Sequence, residues 1–268
     1  YVVYDQQMNE VFTERIMIEK HLQGAMDEKE FELYYQPQLD IATNKITGFE
    51  ALLRWNSPVL GSVSPLKFIK VAEDTHFIIP LGTWVLQTAC EFLKRLEDNG
   101  YQGLTVSVNI SILQLLQEDF LDIVEETLII HDIEPEYLEL EITESILMES
   151  FDRIIARLTR LRDKKIRIAL DDFGKGYSSL SYLKQLPITT LKVDKSFIDY
   201  ITNDNQDDLI GHIISLGKNM GMEVIAEGVE EQCQLDYLTL HECDKIQGYL
   251  FCKPLPEETI MQLLLDRC

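Results

Sequence analysis

Seven short β-rich runs of the sequence end in polar side chains able to do chemistry: Glu50 and Arg54; Asn109; Glu141 with Glu144 beyond it; Asp171 and Asp172; Lys192 and Asp194; Glu227 with Glu230 beyond it; and Gln247. A lone acid at a strand end is usually a helix cap or an ion-pair partner. Together these residues set Glu50, Glu141, Asp171, Asp172 and Glu227 against only Lys192 and Arg54. Carboxylates crowded without cations repel and drive one another's pKa upward, a conflict that a divalent metal removes. The donors are oxygens, including one Asn carbonyl, which favours Mg²⁺ or Mn²⁺ over Zn²⁺ or copper. The five histidines form neither HxH nor HExxH, so a zinc hydrolase is disfavoured. Adjacent aspartates can serve two ions about 3.5–4 Å apart, an arrangement that clamps in-line displacement at phosphorus. Phosphodiester hydrolysis is the first reaction class implied.

The elements positioning these residues alternate β-rich and helical patterns. Eight β-rich runs are expected, at Glu32–Leu39, Ile46–Trp55, Leu104–Ile110, Tyr137–Thr143, Ile166–Asp171, Thr190–Asp194, Glu223–Glu227 and Lys245–Tyr249. Helices are expected around 66–74, 80–99, 114–130, 149–164, 178–185, 206–220, 230–240 and 256–266. Eight such units favour an α/β (β/α)8 TIM barrel over an open doubly wound sheet, and the short Ala42–Lys45 link implies a hairpin at its start. Alternation places Leu138, Leu140 and Ile142 against the helices, with Glu139 and Glu141 inward; Ser107 and Asn109, Arg167 and Asp171, and Lys192 and Asp194 follow the same rule. Asp171-Asp172 opens a Gly-punctuated loop running to Leu180. Met8–Lys29 has amphipathic helical spacing, so 1–29 is expected to be a connector and 30–268 the barrel.

Composition narrows the partners. The 268 residues carry 24 Lys+Arg against 46 Asp+Glu, a net charge of −22, which excludes gripping a DNA or RNA polymer through a basic surface. Five cysteines without a CxxC pair imply a reducing, cytoplasmic setting, and no apolar run is long enough for a membrane span. The start at Tyr1 is read as a piece of a longer protein.

In order along the chain stand Tyr35-Gln36-Pro37, Glu50-Ala51-Leu52-Leu53-Arg54-Trp55, Ser107-Val108-Asn109-Ile110-Ser111, Glu141-Ile142-Thr143-Glu144-Ser145, Asp171-Asp172-Phe173-Gly174, Leu191-Lys192-Val193-Asp194, Ile225-Ala226-Glu227-Gly228-Val229-Glu230 and Gln247-Gly248-Tyr249. With this set the chain resembles the EAL-domain phosphodiesterases that hydrolyse cyclic di-GMP. The resemblance runs from about Phe31 to Leu264 and implies a barrel with an antiparallel first strand and metal-dependent cleavage to linear pGpG. It implies Glu50, Asn109, Glu141 and Asp171 as ligands of one ion and Asp171 with Asp172 as ligands of a second. Glu227 would direct the attacking water, with Lys192 beside it and Glu50 completing the catalytic set. Arg54, Gln36 and Asp194 would meet substrate. Glu144 would hold the loop from Phe173 to Ser179, Glu230 would support Glu227, and Gln247 would steady the metal site. The resemblance also implies a homodimer formed near the Asp171–Gly174 loop, and an upstream regulatory domain of the diguanylate-cyclase (GGDEF) type. Lys175 and Cys252 depart from the family pattern without touching the ligand set. The alternatives are a receptor that binds cyclic di-GMP without cutting it, and an unrelated Mg²⁺ barrel of the enolase type. Calcium, which takes more ligands at longer distances, is expected to inhibit.

Overall fold

The computed structural model describes residues 6–144, 151–174, 183–202 and 208–267, the side chains of 6–11 and 267 excepted. Ten strands share one sheet: β1 (Phe31–Asp40), β2 (Lys45–Ser57), β3 (Gly61–Val63), β4 (Thr105–Asn109), β5 (Leu138–Thr143), β6 (Arg167–Phe173), β7 (Thr190–Val193), β8 (Glu223–Glu227), β9 (Lys245–Gln247) and β10 (Leu255–Pro256). Its order is β10-β1-β9-β8-β7-β6-β5-β4-β2-β3, and the additional β1–β2 pairing closes eight of the strands into a barrel. β1 runs antiparallel to both β2 and β9, whereas β2 and β4–β9 pair in parallel. The expected hairpin is there: Asp40 Oδ1 accepts from the Thr43 amide at 2.7 Å, and Asn44 takes the left-handed φ of 56° that turns the chain.

The helices described are α1 (Gln6–Ala25), α2 (Pro65–Asp74), α3 (Ile78–Asp98), α4 (Ile112–Leu115), α5 (Phe120–His131), α6 (Phe151–Asp163), α7 (Lys195–Ile198), α8 (Leu209–Asn219), α9 (Gln232–Leu240) and α10 (Glu257–Arg267). In α3 the buried residues Leu81, Val85, Leu86, Ala89, Phe92, Leu93 and Leu96 recur every three or four positions. Phe92 seats this face by stacking on Tyr35 and meeting Phe49 edge-on. The outward residues of β5, Leu138, Leu140 and Ile142, are buried in this main core, as alternation requires. A second core joins α1 to the barrel wall, where Ile18, Leu22 and Ala25 meet Phe31, Trp55 and Phe68.

Several expected boundaries are corrected. The helix expected over 114–130 is two helices, α4 and α5; between them the Leu115 carbonyl accepts from Arg157 of α6, and the Gln117 carbonyl accepts from both Arg157 and the Phe120 amide. Ser111 caps α4 in a capping box with Gln114. The first helix stops at Ala25 rather than Lys29, which has φ 56°. Strands β3 and β10 add to the eight expected runs and pair on the outer parts of β2 and β1. β9 ends at Gln247 because the chain wraps the Val229 backbone; a Cβ on Gly248 would lie 2.1 Å from the Val229 carbonyl oxygen. Most of the helix expected at 178–185, and the loop through Lys175 and Ser179, lie outside the described residues.

Candidate active site

The inward side chains of the strands form two polar layers. Near the amino ends of the parallel strands, acids and bases are matched: Arg167 binds Glu139 at 3.1 Å and Glu223 at 2.5 Å, and Lys245 meets Glu223 at 3.0 Å. Near the carboxyl ends they are not. Fully buried Lys192 is the centre of that upper layer, with its Nζ 2.5 Å from Glu141, 2.6 Å from Glu227, 3.6 Å from Glu50 and 3.7 Å from Asp171. Asn109 donates to Glu50 Oε1 at 2.8 Å, and Gln247 donates to Glu50 Oε2 at 2.5 Å.

A local irregularity presents the paired aspartates. The β6–β7 register slips between Leu170 and Phe173, and Asp172 has φ 55°, with its amide donating to Asp171 Oδ1 at 2.8 Å. Such bulges at a barrel rim re-aim side chains. Gly174 follows with φ 100°; its missing Cβ leaves room for the Phe197 ring, and its amide donates to Glu144 Oε2 at 3.0 Å. Glu144 thus meets the one residue of its expected loop contact, beyond Phe173, that is described.

Electrostatics follow from one ammonium shared among several acids. Burial opposes the charge of Lys192, but Glu141, Glu227, Glu50 and Asp171 outweigh it and hold its pKa well above the ordinary value. Burial would raise Glu50, yet Lys192 and the amides of Gln247 and Asn109 hold it below the usual carboxylate range. Burial and the neighbouring Glu50 push Glu141 well up, against Lys192. Asp171 is raised, mainly by burial. Glu227 rises to about 8, through burial first, with Asp171 and Glu50 adding to it.

A stability prediction follows. A carboxyl whose folded pKa lies above its unfolded value contributes stability that is present below the unfolded pKa and lost as pH rises through the folded one. For Glu227 that window runs from the ordinary 4.5 to about 8; Asp171 and Glu141 act in the same direction, and Glu50 opposes them. The metal-free domain is expected to lose thermal stability from pH 5 to pH 8, and saturating Mg²⁺ to flatten that slope, as calorimetry across this range checks.

Other expected site residues have their own places. Arg54 lies over the Tyr34 ring, donates to the Leu53 carbonyl at 3.0 Å, and lines a cleft of about 630 Å³ that also reaches Asn109, Asp171 and Asp172. Leu53, Leu66, Ile69 and Ile112 form its apolar wall. Gln36 is tied inward, accepting from Gln247 at 3.2 Å and donating to the Cys252 carbonyl at 3.0 Å. Asp194 caps α7 by accepting from the Ser196 amide at 2.9 Å. Glu230 pairs with Lys195 at 3.1 Å.

The donor chemistry fits a hard cation. Glu141 Oε1 is buried without a hydrogen-bond partner, and the acids of this layer outnumber its lysine. Among the described residues no three His, Cys, Asp or Glu side chains stand spaced to hold a metal ion, because these carboxylates close on the Lys192 ammonium. Likewise, no helix among the described residues is long and apolar enough to cross a membrane.

Alternation places Ser107 and Glu139 inward without giving them a role in this site, and Gln38 is not singled out. The available signal was an offset of two: each precedes or follows a named residue, Gln36, Asn109 or Glu141, on the same strand face.

Comparison with known proteins agrees with this geometry. The bifunctional diguanylate cyclase/cyclic di-GMP phosphodiesterase MucR of Pseudomonas aeruginosa is 36% identical over 262 residues, covering 97% of this chain and 38% of the relative. The cyclic di-GMP phosphodiesterase NbdA of the same organism is 39% identical over 253 residues, covering 94% and 32%. This chain thus spans about a third of the length of these curated relatives. A solved structure described as PaMucR phosphodiesterase in complex with c-di-GMP superposes with a TM-score of 0.86 at 37% identity, covering 91% of this chain and 99% of that one. The family model described as EAL domain matches residues 19–254, from within α1 to past the Gln247 turn, and the chain belongs to the EAL domain family.

Proposed function

We propose that this domain hydrolyses one phosphodiester of cyclic di-GMP to give pGpG and so lowers the level of a bacterial second messenger. The observation carrying this reading is the unbalanced acidic layer around Lys192, which opens beside the cleft that Arg54 lines. The cyclic di-GMP named for the superposed structure and for both relatives supports this substrate.

In this proposal Glu50, Asn109, Glu141 and Asp171 hold one Mg²⁺ or Mn²⁺, and Asp171 and Asp172 hold a second. When bound, such ions neutralise charge developing on the phosphoryl oxygens and favour ionisation of the attacking water. The chain's own residues do the rest. Glu227, with a pKa near neutrality, is suited to take the proton of that water. Lys192 stays protonated and stabilises negative charge inside the layer. Arg54, exchanging its bond to the Leu53 carbonyl for a phosphate oxygen, anchors substrate while the apolar wall receives a base. Gln36 and Asp194 then act from behind, through Gln247 and the start of α7. Glu144 steadies the loop after Asp172, and Glu230, through its pairing with Lys195, supports the turn that follows Glu227.

The proposal extends to a homodimer and an upstream regulatory domain, as the resemblance implies, and to the cytoplasm, which suits the free thiols of Cys90, Cys233, Cys243 and Cys252. The test is to incubate the domain with cyclic di-GMP and Mg²⁺ or Mn²⁺ and separate the products. Formation of pGpG supports the reading; binding without turnover selects a receptor instead. Calcium is expected to bind yet support at most about one per cent of the magnesium rate, since its longer bonds and larger ligand number distort a site shaped for smaller ions. Equal turnover with calcium counts against the ligand assignment.

A further inference from the structure

We infer that Gln38 is a positioning residue for the acidic site: its amide donates in both directions and thereby fixes how Gln247 holds Glu50. The inference rests on the phosphodiesterase reading for its activity readout and on geometry for its origin.

A chain of hydrogen bonds joins the two polar layers of the barrel. Gln247 donates to Glu50 Oε2 at 2.5 Å, and its carbonyl accepts from Gln38 Nε2 at 3.2 Å. The same Gln38 nitrogen donates to Ser107 Oγ at 3.3 Å, and Ser107 donates to Glu139 Oε1 at 3.4 Å. Arg167 and Thr190 hold the other oxygen of Glu139 at 3.1 and 2.5 Å.

Both ends of this chain are carboxyl groups used as acceptors. A row of hydrogen bonds with acceptors at both ends must contain one group that donates both ways, and Gln38 is that group. The orientation leaves a mark: Gln38 Oε1 is buried without a hydrogen-bond partner. Turning the amide over would satisfy no more of the chain, because it would set that oxygen against the Gln247 carbonyl and expose Ser107 to a second acceptor. With Gln38 fixed, Gln247 must present its NH₂ to Glu50, the orientation that its bond to Gln36 Oε1 also requires, so the lower, charge-matched layer helps to orient a carboxylate of the upper one.

The test compares Gln38→Met, of similar length without donors, with the wild-type domain. Mn²⁺ affinity is read by isothermal titration, kcat and KM by pGpG release, and folding by thermal melting. Gln38→Met is expected to weaken Mn²⁺ binding about tenfold and to lower kcat with it, leaving KM for cyclic di-GMP near the wild-type value. Wild-type Mn²⁺ affinity in a folded Gln38→Met domain overturns the inference. Should Gln38→Met not fold, Ser107→Ala breaks the chain at its next link, and unchanged Mn²⁺ affinity there overturns it equally. A wild-type domain that binds Mn²⁺ without cutting cyclic di-GMP refutes the phosphodiesterase reading and leaves the Mn²⁺ comparison to decide the role of Gln38.

Discussion

Lys192→Met is expected to lower the melting temperature of the metal-free domain by roughly 10 °C and to reduce cleavage at least 10²-fold to 10³-fold. The ammonium is fully buried and lies within 4 Å of four carboxyl groups, so nothing from solvent replaces it. Removing one member of a buried charge group strands its partners, at a cost of about 3–5 kcal/mol, which in a domain of this size corresponds to a shift of that order. The stranded acids respond by binding protons. Glu50, which Lys192 and two amides hold below the usual range, is expected to lose that depression, and the deficit relative to wild type is expected to deepen with rising pH. Calorimetry with and without Mg²⁺ checks the account, because added cations take over part of the neutralisation and recover part of the melting temperature. An unchanged melting temperature would show that the four acids do not depend on this lysine.

Why the upper layer was legible in the sequence and the lower one was not is a matter of where cations fall on a strand. Reading the last residues of each run brings together Glu50, Glu141, Asp171 and Glu227 with Lys192, and the fold converges these four acids on that lysine. The balancing cations of the lower layer, Arg167 and Lys245, open their strands, so a search of strand ends passes over them. Glu139 and Glu141 look equivalent by alternation, yet one meets an arginine and the other has an oxygen without a partner. The Gln38 junction depends on β1 running antiparallel beside β9, which brings residues 209 positions apart into contact. The hairpin made the direction of β1 readable, but its register against β9 is set by the closed barrel. The break between α4 and α5 has the same character, since the arginine that binds carbonyls there stands about forty residues away on another helix.

Glu50→Ala is expected to reduce cleavage by about 10³-fold or more while leaving the metal-free domain close to wild type in stability, in contrast to Lys192→Met. The carboxylate is buried and held by Asn109 and Gln247, and its charge adds to the crowding that raises Glu141, Asp171 and Glu227. Losing it leaves two amide donors short of an acceptor, at about 1–3 kcal/mol, and gives up its attraction to Lys192, but relieves repulsion among three remaining acids that share that lysine. These terms oppose each other, so the net change is small. What the variant loses is the response to metal. A cation at a hundred times its dissociation constant stabilises the folded state by about 2.7 kcal/mol, and removal of a ligand is expected to erase most of that gain. Glu227→Ala provides the contrast: placed as a base rather than a ligand, it should lose turnover to a similar degree while melting still rises with Mg²⁺. If both variants keep the Mg²⁺-induced rise, Glu50 is not a ligand; if both lose it, Glu227 belongs to the metal set.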